Sequence, residues 1–177
     1  MVTWRWALLA LFVVYLLLLT WIVLWKLQPP WIGGVDRVIK LVPFVAFGGL
    51  GASRAAEVAA NVLLFVPLGG YLRLLAPARA RLARSALVAA GTSVAFEATQ
   101  YVLAIGSSDI TDVIANTGGA LIGYALAALV GRRLAIRICA LGTAAAVLAC
   151  AAFLASAPPA APDRGPLSGA VAIEGSE

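Results

Sequence analysis

Runs of apolar residues long enough to cross a bilayer decide what this chain can fold into. The clearest is 7–25, with Arg5 before it and Lys26 after it. An α-helix of about 20 residues matches the hydrocarbon thickness and satisfies its own backbone N–H and C=O groups where no water can. Similar runs fall at about 57–75, 85–105, 113–130 and 138–154. The expectation is an all-α, polytopic membrane helix bundle of about five transmembrane helices, occupying 1–155. Composition agrees: 63% of residues are hydrophobic and 12% charged, against about 25% charged in a soluble domain.

A cleaved signal peptide is the competing reading of the first run. The run is too long for that, and Gln28-Pro29-Pro30-Trp31 follows it rather than a small-x-small site. Trp4, Trp6, Trp21 and Trp25 suit an interfacial aromatic belt. The first run is therefore expected to be a retained helix. The longest connection, 26–56, contains Pro43 and reads as interfacial or partly re-entrant over 35–51. In the second run Pro67 removes the backbone bond to Leu63 and should kink the helix. Residues 156–177 are rich in Ala, Pro, Gly and Ser and read as a disordered tail.

Orientation follows from the loops. With the N-terminus in the cytoplasm, eight of the 13 basic residues lie inside, in Arg5, the 73–84 turn and the 132–137 turn. The positive-inside rule favours that arrangement, and the Arg-rich turn suits anionic lipid heads. The net charge of +5 is thus an orientation signal, not a sign of nucleic acid. No His is present, which removes the commonest metal ligand and general base. Cys139 and Cys150 would lie roughly 16 Å apart on one helix, too far to bridge.

The few polar residues inside the runs carry most of the information. Asn61 lies one turn into the second run, and Glu97 and Gln100 lie in the outer half of the third. Asp109, Asp112 and Asn116 lead from a short loop into the fourth. Glu97, Gln100 and Tyr101 share one helical face. So do Asp109, Asp112, Asn116, Gly119 and Gly123, whose last pair has the G-x-x-x-G spacing of closely packed helices. Because the loop is short, that face is expected to turn toward the third helix. A carboxylate within the bilayer costs about 2.5–3.5 kcal/mol on insertion scales, so Glu97 needs a partner or a wet cavity. Either these side chains only bond helices together, or they line a site just beneath the outer surface. Pro67 and Gly69 read as determinants of helix shape.

Three stretches carry a family resemblance. They are Lys40-Leu41-Val42-Pro43-Phe44, Asn61-Val62-Leu63-Leu64-Phe65-Val66-Pro67-Leu68-Gly69, and the run from Glu97-Ala98-Thr99-Gln100 through Ser108-Asp109-Ile110-Thr111-Asp112 and Asn116-Thr117-Gly118-Gly119 to Gly123. In order and spacing they resemble the VanZ-like membrane proteins of bacteria. Two departures stand out: Gly106 where the family usually has Arg, and Lys40 where it often has Asn. A cation for the aspartates must then come from Arg37, Lys40 or Arg54. The resemblance implies a multi-pass protein of the bacterial cytoplasmic membrane. It also implies a link to glycopeptide (teicoplanin-type) resistance, without naming a reaction.

Three functional readings follow. The first is a binding protein whose site comprises Asn61, Glu97, Gln100, Asp109, Asp112 and Asn116, with a lipid-linked cell-wall precursor or a glycopeptide as ligand. No cofactor is required, although the three acids Glu97, Asp109 and Asp112 have the oxygen chemistry of a divalent-cation site. The second is an intramembrane enzyme acting on a lipid-linked phosphate or glycan, which no His, catalytic Cys or phosphate loop supports. The third is a non-catalytic scaffold for another membrane protein.

Overall fold

The computed structural model describes residues 3–45, 53–76 and 82–156. The helices are α1 (Thr3–Trp25), α2 (Ala55–Leu75), α3 (Leu82–Leu103), α4 (Ile110–Leu129) and α5 (Arg132–Ser156). Two short strands, β1 (Ile39–Lys40) and β2 (Ser108–Asp109), pair in parallel. All five expected helices are present. The largest shift in a boundary is at α5, which begins at Arg132 rather than near 138 because its basic first turns are also helical. The tail lies outside the described residues from 157 onward.

Among the described residues four helices are long and apolar enough to cross a membrane: Arg5–Trp25, Ala55–Leu75, Ile110–Leu129 and Arg132–Ala155. The less apolar α3 carries Ser85, Ser93, Glu97 and Gln100, and buries all four. Its path is imposed by its neighbours. Val62 faces Gly119, Val66 faces Gly123, and farther along Gly69 faces Ala120 and Tyr124. Helices α2 and α4 therefore run in the same direction, and α3 must return across the layer between them. Its 22 residues span roughly 33 Å, enough to do so.

The α2–α4 seam corrects one expectation. Gly119 and Gly123 turn toward α2, not α3. A Cβ at Gly119 would overlap the Val62 carbonyl, one at Gly123 the Val66 carbonyl, and one at Gly69 the Ala120 carbonyl. The short loop does bring α3 beside α4, but through Ser93 and Asn116. Only absent side chains let two backbones approach so closely, so the glycines select the parallel partner.

Around this seam Phe65, Leu68 and Tyr71 of α2 pack with Leu8, Tyr15 and Leu19 of α1. Helix α2 continues through Pro67. The Tyr15 hydroxyl donates to the Leu64 carbonyl at 2.7 Å, and the Tyr71 hydroxyl pairs with Thr143 of α5 at 2.7 Å. Outward-facing Leu17, Leu63, Leu87 and Leu141 are exposed, as suits a surface solvated by acyl chains. Cys139 and Cys150 are free.

Candidate functional site

The C-terminal ends of α1 and α3 and the N-terminal ends of α2 and α4 meet at one end of the bundle. Between them lies a cleft of about 600 Å³. Asn61, Glu97, Gln100, Asp109, Asp112 and Asn116 all line it. So do Lys26, Lys40, Ser53, Arg54 and Glu57. The six polar residues singled out from the sequence all line this cleft, but they are committed to very different degrees.

Lys40 is the most constrained. Its residue is 2% exposed, and its Nζ donates to Asp109 Oδ2 and to Ser53 Oγ, both at 2.9 Å. Ser53 Oγ in turn lies 3.0 Å from the same carboxylate oxygen. A lysine can be buried this far only if its charge is matched and its N–H groups are used. Pairing of β1 with β2 sets the register, with Lys40 opposite Asp109. Phe44 N donates to Thr111 Oγ1 at 3.0 Å, so the Pro43-Phe44 turn docks on the first turn of α4. Of the three cations available to the aspartates, Lys40 is the one used. Arg37 instead donates to the Tyr101 and Val102 carbonyls at the end of α3, and exposed Arg54 pairs with Glu57 at 3.6 Å. Burial alone would raise the Asp109 carboxyl. The Lys40 ammonium, with Thr111 and Ser53, outweighs it and holds the group below the ordinary aspartate value.

Asp109 also caps α4, its Oδ1 accepting from Thr111 N at 2.8 Å. Asp112 then occupies the position three residues into the cap. In a capping box the acid there reaches back for the backbone N–H of the capping residue. Here that N–H is already taken: Asp109 N donates to Glu97 Oε2 of α3 at 2.7 Å. Asp112 is released from the cap and turns to α2, accepting from Asn61 Nδ2 at 2.7 Å. The 104–109 segment folds back onto α3 to reach Glu97, and Ser108 Oγ donates to the Glu97 carbonyl at 3.0 Å.

Gln100 is likewise committed. Its Nε2 donates at 3.0 Å to the Val23 carbonyl in the last turn of α1, where helical carbonyls lack partners. Asn116 is different. It is 2% exposed and donates to Ser93 Oγ at 2.8 Å, but its Oδ1 is buried without a hydrogen bond. Glu97, Gln100 and Asp109 therefore hold the fold of the cleft, whereas Asn61, Asp112 and Asn116 keep hydrogen-bonding capacity to spare.

The three-acid cation site does not form. Among the described residues no three His, Cys, Asp or Glu side chains come together as a metal-holding group. Asp109 is paired with Lys40, Glu97 accepts a backbone N–H, and Asp112 accepts from Asn61. Sequence reasoning passed over Ser53, Ser93 and Thr111. Ser93 was within reach, since it lies four residues before Glu97 on the same α3 face. Ser53 was not, because nothing local ties it to a residue 56 positions away.

A family model described as VanZ/LLP1 matches residues 12–131. Protein VanZ of Enterococcus faecium is 37% identical over 119 residues, which cover 66% of this chain and 70% of that protein. No solved structure gives a significant match.

Proposed function

Since the chain belongs to the VanZ/LLP1 family, we propose that its cleft receives the polar head of an amphiphilic cell-envelope molecule. The protein lies in the bacterial cytoplasmic membrane with the cleft at the outer leaflet. The ligand class is a lipid-linked cell-wall precursor or a glycopeptide of the teicoplanin type. Arginine distribution supports the orientation: Arg73, Arg84, Arg132, Arg133 and Arg137 sit at the ends of helices opposite the cleft.

One observation carries the reading. A side chain 98% buried, Asn116, lines a cleft of about 600 Å³ with an amide oxygen that the fold leaves unsatisfied. An unmatched buried polar atom costs about 1–3 kcal/mol. A head group or its bound water removes that cost, whereas a purely structural bundle gains nothing from it. Glycopeptide susceptibility tests the proposal in a host lacking its own copy. Wild-type protein is expected to raise the inhibitory concentration of teicoplanin. Asp112→Asn and Asn116→Leu, at equal membrane level, should remove that effect. Full protection by both variants would refute the proposal.

A further inference from the structure

We propose that the inner wall of the cleft recognises a primary ammonium group, held between the Asp112 carboxylate and the Asn116 side-chain oxygen. The inference rests on the head-group reading and adds the chemistry of the head.

The wall carries an acceptor excess and an unpaired charge. Asn61 Nδ2 gives one of its two N–H groups to Asp112 Oδ1, and Asn116 Nδ2 gives one to Ser93. Beside the two N–H groups left over stand the second Asp112 oxygen, the Asn61 side-chain oxygen and the orphaned Asn116 Oδ1. Among the described residues no cation forms an ion pair with Asp112. Lys40 is locked to Asp109 and Ser53, and Arg54 is drawn to Glu57. Lys26 is exposed where α1 ends and lines the cleft at its rim.

Asp112 makes this arrangement specific. Its position in the first turn of α4 would ordinarily consign it to the helix cap, yet Glu97 of another helix has taken that role. The fold thereby exposes a carboxylate oxygen to the cleft and backs it with a second buried acceptor. An ammonium supplies three N–H donors and the matching charge. A phosphate or sulfate brings only acceptors, and a trimethylammonium brings charge without donors. Lys26 at the rim opposes a cation, so its charge gives a test of sign.

The experiment uses the full chain in phosphatidylcholine nanodiscs, with empty discs as the blank. Saturable binding of radiolabelled decylammonium, decyltrimethylammonium, decyl maltoside and decyl sulfate is measured. Decylammonium should bind at least tenfold more tightly than the other three. The isosteric Asp112→Asn should weaken it at least tenfold, and Lys26→Gln should strengthen it about twofold, the size of a solvent-screened charge over several ångströms. Should Asp112→Asn fail to fold, the wild-type ranking and the Lys26→Gln variant decide. Equal binding of decyltrimethylammonium, or weaker decylammonium binding in Lys26→Gln, overturns the ammonium. Tightest binding of the maltoside or sulfate, lost in Asn116→Leu, also overturns it while leaving the head-group reading intact. If none of the four binds saturably, the head-group reading falls as well.

Discussion

Lys40→Met removes the cation from the Lys40–Asp109–Ser53 group and leaves a carboxylate whose side chain is 14% exposed without its counter-charge. Breaking a buried ion pair by deleting one partner costs roughly 3–5 kcal/mol. Because Asp109 retains some contact with solvent and keeps its bond to Thr111 N, the lower end, about 3 kcal/mol, is expected. Asp109→Asn in the Lys40→Met background removes the stranded charge but preserves the helix cap. The double variant should recover about 1–2 kcal/mol of the loss, a coupling that a double-mutant cycle isolates. The assay is unfolding of the purified chain in mixed micelles, followed by tryptophan fluorescence. A cost for Lys40→Met below about 0.5 kcal/mol, with no coupling, would refute the view that this pair ties the first loop to α4. The pH dependence gives a second reading of the same pair. The folded-state value of Asp109 is depressed, so its contribution is fully present above the unfolded value of 3.8 and is lost as pH falls through the lower folded value. In Lys40→Met the counter-charge is gone and burial raises the carboxyl instead, so the sign inverts and the variant should gain stability as pH falls through the raised folded value.

Other substitutions test the remaining architecture. Gly119→Val should drive α2 from α4 and cost more than about 3 kcal/mol or abolish accumulation, whereas Gly118→Ala, whose added carbon meets open space, should change unfolding by less than about 0.5 kcal/mol. Tyr71→Phe removes the bond to Thr143 at 2.7 Å and should cost about 1 kcal/mol, read from the same unfolding curves. Gln100→Leu leaves the Val23 carbonyl unmatched and should cost about 1–3 kcal/mol. A reporter inserted at Ser107 should be exported and one at Ala128 retained inside; the reverse pattern would invert the orientation assigned to the cleft.

Much of the site was legible before any fold was known, because helical spacing is a local rule. Glu97 and Gln100 had to share a face, and so did Asp112 and Asn116. Rare polar residues in apolar helices had to find one another, and Asn61 does meet Asp112. The division of labour was not legible. Whether Asp112 completes its own cap or faces the cleft depends on Glu97, which reaches Asp109 N across a sequence gap of 12 residues. The choice among Arg37, Lys40 and Arg54 depended on a two-residue strand pairing that spans 69 positions.

Hydrophobic run length alone determined that this chain is a bundle of membrane-crossing helices, since a bilayer leaves the backbone no other way to satisfy its N–H and C=O groups. Spacing alone determined which residues share each helical face. Only the tertiary structure decided which helix each face meets. The glycine stripe of α4 lies against α2 because two parallel backbones touch there, and contact between distant segments is set by packing in three dimensions, on which a one-dimensional pattern is silent. That packing also commits Glu97, Gln100 and Asp109 to the frame and leaves Asn61, Asp112 and Asn116 facing the cleft.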